Sequence, residues 1–322
     1  MSPSPHAVAH MEARRRLALA TALATHRLWR QVDRSNLYTS WLGLVGNVLA
    51  LVMASQMTAA QMTAPFLAQL LGPENEDRPD ANRLVPAAFA GVDGAGRPLD
   101  GVLMAPIWTA LRLVTAGRPI VPALLAGQSL LDAIVQTAVA DVGRAADLTG
   151  MTARPSVTGY IRVVEAGACS RCIVLAGAEY QTSKAFLRHP RCKCGMEPVT
   201  REHTPDPPSP KQLVAQMSEA QRRKTFGAAG AKALAEGADL GQLVNARRGM
   251  QSATVYGRKL QITTEGITRR GFAGSRLRDF QKTQGQRYRV SRKPRLMPEE
   301  IFRIADDRAH AVRLLHQYGF IA

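Results

Sequence analysis

Gly167-Ala-Cys169-Ser-Arg-Cys172-Ile-Val-Leu-Ala-Gly177, followed by Phe186-Leu-Arg-His189-Pro190-Arg-Cys192-Lys-Cys194, holds all four cysteines of the 322-residue chain. A C-x-x-C turn lets two thiolates converge on one point, and a second group of soft ligands nearby can complete a tetrahedron around zinc. The candidate ligands are Cys169, Cys172, His189, Cys192 and Cys194, five groups for four places. Either Cys192 or Cys194 stands outside the ligand set, or His189 acts as a hydrogen-bond partner behind it. Four cysteines also allow three disulfide pairings, or can serve as small apolar residues without any bond.

Outward from the cysteines, Tyr160 to Val164 is short and β-branched, which predicts a strand leading into the first turn. Ile173 to Ala176, with Phe186 and Leu187, are expected to pack beneath the cysteines. A module this small, spanning 151–204, has little core of its own, so a structural metal would contribute folding free energy directly.

The part before it, 1–150, reads as helical. Apolar residues make up 46% of the chain and aromatics only 5%, so alanine and leucine must do most of the packing, and both favour helices. Two helices are expected between Met11 and Leu71, broken at Ser35-Asn36 and stopped by Gly72-Pro73. Pro73 to Asp100 carries turn residues, with Asp93-Gly94 and Gly96 the sharpest signal, and predicts a long loop or small hairpin. Helices resume from Leu103 to Thr115 and from Leu124 to Ala146, where Leu130, Leu131, Ile134, Val135, Ala138 and Val142 recur at helical spacing. The fold class is therefore mainly α, with a helical first half, a small α+β Cys/His module and a partly helical, basic third part, 205–322.

That third part opens on a proline-rich stop, Thr204 to Pro210. Ser209-Pro210, Ser218 with Gln221 and Asp239 with Gln242 mark helix starts, Gly237 marks a helix end, and Glu299 to Ile321 again predicts helix. The formal net charge is +17 and the pI near 10.6. From Arg201 onward 23 Lys and Arg stand against 11 Asp and Glu, +12 of that total. The cations Arg258, Lys259, Arg269, Arg270, Arg276, Arg278, Arg287, Arg289, Arg292 and Lys293, with Arg295 beyond them, interleave with Tyr256, Phe272 and Tyr288. Guanidinium groups neutralise phosphates and aromatics stack on bases, so the strip predicts duplex DNA binding without sequence preference. An acidic protein face is the alternative partner for the same charge, as is a merely solubilising surface.

No membrane partner is expected: the most apolar run, Trp41 to Ala54, is shorter than the roughly 18–20 residues that span a bilayer. Arg14-Arg15-Arg16 before Leu17 to Thr25 mimics a signal peptide without a small-residue cleavage site, and reads as a cytoplasmic helix. Reduced cysteines follow from that setting. The chain carries no H-E-x-x-H, G-x-S-x-G, Walker or G-x-G-x-x-G motif, and no activated nucleophile is legible.

The pattern C-x-x-C-x-x-L-A-G followed by F-x-R-H-P-x-C-x-C and Pro198 resembles the knuckle of MuF-like minor capsid, or head morphogenesis, proteins of tailed bacteriophages, closest to those of actinobacterial phages and prophages. Weaker similarity runs through Leu28-Trp29-Arg30, Trp41, Asp93 to Leu99, Glu236 to Asp239 and Val244 to Gly249. The resemblance implies a minor capsid protein of the virion head interior, present in the host cytoplasm during assembly. Its implied partners are the portal protein and other head proteins, with DNA meeting the basic part. Some proteins of this kind are labelled capsid maturation proteases, which is the alternative function; a zinc-containing nucleic-acid-binding regulator is a third.

Overall fold

The computed structural model describes residues 3–72, 84–165, 167–255, 258–282, 284–285 and 287–322, with 255 and 258 described by backbone alone. The stretch 73–83 of the expected loop, and Tyr256 of the basic strip, lie outside these. The chain divides into two compact units, Met1–Val164 with Gly177–Pro207, and Glu165–Ala176 with Pro208–Ala322.

In the first unit, α1 (Pro5–Trp29) starts ahead of the expected Met11 because Ser4 accepts from the Ala7 N–H and Pro5 occupies the first turn. Asn36 caps α2 (Leu37–Gln61) through the Thr39 N–H. Met62 then joins it to α3 (Thr63–Leu71), whose Pro65 has no N–H to offer the preceding turn, and Gly72, at φ 81°, ends the run. Between Gly91 and Leu99 the chain makes a small hairpin: Asp93 N–H donates to Arg97 O and Leu99 N–H to Gly91 O, both at 2.9 Å. The Asp93 carboxylate accepts from the Ala95 and Arg97 amides.

After α4 (Leu99–Val102) and α5 (Ala105–Thr115) comes α6 (Ile120–Thr152), 33 residues long and extended beyond the expected Leu124–Ala146 at both ends. It is the central helix, packed on α1, α2 and α5. The core holds Trp29, Trp41, Val48, Val52, Leu99, Leu103, Ile107, Leu131, Val135 and Val139. Trp29 and Trp41 meet edge-on at 4.9 Å, and their buried indole N–H groups donate to Leu124 O and Leu103 O. By length and composition two helical runs, Leu37–Leu71 and Ile120–Thr152, could cross a membrane. Both supply core residues of this bundle, and the second buries Asp141, Arg144 and Asp147.

The expected strand is β1 (Gly159–Val163), buried throughout. It is the middle of an antiparallel three-stranded sheet between β2 (Glu179–Tyr180) and β3 (Gly195–Val199), with Ile161 opposite Glu197 and Val163 opposite Gly195.

The second unit begins with the single-turn α7 (Ser170–Ile173). Capping boxes at Ser209/Gln212 and Ser218/Gln221 start α8 (Pro210–Gln216) and α9 (Glu219–Ala235), and Asp239 caps α10 (Leu240–Ala246). Gly237, at φ 91°, follows the end of α9 as expected. The basic stretch is folded among its described residues. A hairpin, β4 (Met250–Val255) and β5 (Arg258–Thr263), precedes α11 (Gly274–Leu277) and the paired β6 (Phe280–Gln281) and β7 (Val290–Ser291), and β8 (Arg295–Leu296) adds to the edge of β5. Helices α12 (Pro298–Ile304) and α13 (Arg308–Gln317) close the chain. The protein is thus mainly α, with a helical amino-terminal half, a Cys/His cluster near 169–194 and small strands in its carboxyl-terminal part.

Candidate metal centre and basic surface

Cys169 sits at the start of α7, where its carbonyl accepts from the Cys172 and Ile173 amides at 2.9 and 3.1 Å. That turn brings the two sulfurs to 3.4 Å. A zinc tetrahedron with bonds of about 2.3 Å has sulfur–sulfur edges of roughly 3.8 Å, whereas a disulfide needs about 2.05 Å. The separation suits two ligands of one metal, and no disulfide joins any of the four cysteines.

The second ligand group lies on a turn that precedes β3. Cys192 N–H donates to His189 O at 3.1 Å, and Arg191 takes the left-handed conformation, φ 60°. For a non-glycine residue that backbone needs support. Its amide donates to Thr137 Oγ1 and its guanidinium to Ser129 O, both on α6. His189 Nδ1 lies 2.8 Å from Pro190 O. A carbonyl only accepts, so in the neutral ring Nδ1 carries the proton and Nε2 the lone pair that a metal would use.

The C-x-x-C pair, Cys169 and Cys172, lies in the second unit, and His189, Cys192 and Cys194 follow one another on the turn into β3 in the first. Each unit thus carries soft groups of the kind that bind a metal, two thiols in the second and two thiols with an imidazole in the first. Cys172, Cys192 and Cys194 are buried, while Cys169 is exposed.

Two buried arginines that the sequence reading passed over hold the Cys192-Lys-Cys194 segment. Arg162, on β1, is 1% exposed and places Nη2 3.8 Å from Cys192 Sγ and 3.6 Å from Cys194 Sγ. Its guanidinium covers the Phe186 ring at 4.2 Å, and Nη1 donates to Leu187 O. A positive charge and N–H donors beside sulfur favour thiolate, the ligand form. Arg144, on α6, donates to Cys192 O and Cys194 O at 3.1 and 3.2 Å and pairs with Asp141 at 2.6 Å. Asp141 also holds Arg188, whose guanidinium reaches Gly94 O in the Asp93–Arg97 hairpin. A cation inside the apolar strand Tyr-Ile-Arg-Val-Val was the one available signal for Arg162. Phe186 is buried as expected, but Leu187 is 90% exposed and packs beneath nothing in its own unit.

Of the basic residues, Lys259, Arg269, Arg270, Arg276, Arg278, Arg287, Arg289, Arg292 and Lys293 are exposed; the Arg258 side chain lies outside the described set. Arg269 N–H donates to Arg289 O, and Thr268 bridges Val290, so Arg269 and Arg270 run beside Arg287, Tyr288 and Arg289. Arg287 lies 5.4 Å over the exposed Tyr288 ring. Two of the cations have partners within the unit. Arg276 donates to His316 O and Ile321 O at 2.5 Å, and Arg292 pairs with Asp279 at 2.6 Å, a bond that raises the arginine further above its ordinary pKa. Arg295 does not join the strip at all. It is 1% exposed, donates to Glu265 O, Tyr318 O and Gly319 O, and burial lowers its pKa to about 10. Spacing in the sequence could not separate this core arginine from its exposed neighbours.

The chain belongs to the VG15 protein family, whose sequence model matches residues 1–220. This is a phage-related family, and the match covers the helical bundle, the sheet and every cysteine. No curated protein and no solved structure matches the chain.

Proposed function

We propose that this protein is a minor capsid, or head morphogenesis, protein of a tailed phage, similar to the MuF-like proteins, acting with the portal during virion assembly. The observation that carries the reading is the VG15 family match together with the spacing of the four cysteines and His189 in the sequence within it. In this reading one structural zinc is held by Cys169, Cys172, one or both of Cys192 and Cys194, and His189 as ligand or supporting group, the set that their spacing in the sequence indicates. The surface formed by Arg269, Arg270, Arg287 and Arg289 meets DNA through phosphates, without base readout.

Co-expression with the portal and major capsid proteins of the same phage tests the assembly role. Co-purification with the portal, and heads depleted of DNA or portal when residues 205–322 are removed, are the expected results. Heads that assemble and package normally without the chain would refute it. Capsid fragments that depend on one Ser or Cys of this chain would replace it by the maturation-protease reading. Elemental analysis of protein purified under reducing conditions tests the zinc, with about one ion per chain expected.

A further inference from the structure

A cavity of about 90 Å³ opens in the first unit beside α1, α6 and the turn into β3. Arg14, Arg144 and Asp147 are its buried charged lining, and Arg15, Arg191 and Lys193, all exposed, surround it. Met11, Ala18 and Ala140 supply apolar wall.

The charges around it do not balance. The Asp147 carboxylate is saturated by Arg14, His10 and Thr63. Arg144 has Asp141 as its carboxylate, but Asp141 also serves Arg188. Three arginines in and behind this wall thus share two carboxylates; Arg15 pairs with Glu12 at 2.7 Å, and Arg191 and Lys193 add two further cations. A surplus cation in a desolvated setting is costly unless a counter-charge accompanies it. The space is large enough for a small polyatomic anion, and apolar wall on one side with cations on the other is how pockets orient such a group.

We propose that this cavity is a binding site for a small oxyanion, a phosphate or a carboxylate, held by Arg144, Arg191 and Lys193. The site is independent of the DNA reading; Cys192 and Cys194 also line it, so the test holds the metal content constant.

The test measures thermal unfolding of the full chain, with its metal content unchanged, in inorganic phosphate or acetate against chloride at equal ionic strength. Phosphate, acetate or both should raise the unfolding midpoint in a saturable way. Stronger stabilisation by phosphate would identify a free phosphate as the ligand, and stronger stabilisation by acetate an acidic side chain of a protein. The variant Arg191→Gln/Lys193→Gln should weaken the apparent affinity about three- to tenfold, as two partly screened charges would. Lys193→Gln alone guards against loss of the Arg191 turn. Because a protein of net charge +17 responds to anions in general, Arg112→Gln/Arg118→Gln removes the same charge from exposed positions elsewhere and should leave the affinity unchanged. No stabilisation beyond chloride, or equal weakening by both double variants, would overturn the proposal.

Discussion

Arg162 points its guanidinium at the sulfur of Cys194 from 3.6 Å while resting on the face of Phe186. One side chain therefore couples the central strand of the sheet to the cysteine segment, by charge on one side and by π contact on the other. Removing it takes positive charge from beside the two sulfurs and leaves a gap beneath Phe186. Arg162→Met keeps most of the volume and loses the charge. We expect metal affinity to fall roughly 10- to 100-fold, the scale on which groups supporting metal ligands act. Competition against a chromophoric chelator measures it, and unchanged affinity would mean that Arg162 only packs.

Stability should fall in two steps as the pH is lowered. His10 Nε2 lies 3.1 Å from the Asp147 carboxylate and its ring stacks on Phe66 at 3.9 Å. Burial lowers the His10 pKa from 6.5, outweighing the opposing pull of Asp147. A histidine held neutral in the folded state contributes stability above 6.5 that declines as the pH falls below it. For Asp147, burial works against ionisation, but Arg14 and His10 outweigh it and hold the carboxyl below its ordinary 3.8. Its contribution is present above 3.8 and is lost as the pH falls through the folded value. Urea denaturation from pH 7 to 4 should show the first decline, and His10→Gln, which keeps an N–H for Asp147, should flatten it.

Helix boundaries were legible where local chemistry sets them: Asn36, Ser209, Ser218, Asp239 and Gly237 all act at the positions their residue types indicated. The start of α1 was not, because an N-cap serine followed by proline six residues before the first periodic apolar residue carries no weight until the helix is seen. The cysteines were legible because C-x-x-C is a local geometry. Arg144, Asp141 and Arg188 were not, since their pairing depends on how α6 faces the turn before β3. Nothing in the spacing of Arg292, Lys293 and Arg295 distinguishes an ion pair, an exposed cation and a core residue.

Gly143→Ala should destabilise the bundle although alanine is the better helix former. A Cβ there would lie 2.8 Å from Arg14 Nε and 2.9 Å from its Cδ. Arg14 cannot yield easily, because its other nitrogens are bound to Asp147, Ala59 O and Thr63. Overpacking costs about 1–3 kcal/mol, against a propensity gain of about 1 kcal/mol. A net loss of up to about 2 kcal/mol is expected by urea denaturation. Gly43→Ala, with nothing within 4 Å of its Cβ, is the control and should stabilise.

The basic surface yields the sharpest contrast among neighbouring arginines. Arg269, Arg270, Arg287 and Arg289 are exposed and adjacent, so replacing all four by Gln should weaken duplex DNA binding equally for unrelated sequences. It should also reduce the slope of log affinity against log salt by roughly 3–4, since each phosphate contact contributes about 0.9. Arg292→Gln should cost less than any one of the four, because its charge is already matched by Asp279. Arg295→Gln should act differently in kind. Three backbone carbonyls would lose their donor inside the second unit, so the unfolding midpoint should drop while the DNA affinity of the folded fraction stays put. Fluorescence anisotropy across a salt series, paired with thermal unfolding of each variant, separates the three outcomes. A salt slope that the fourfold variant leaves unchanged would redirect this surface from DNA to an acidic protein face.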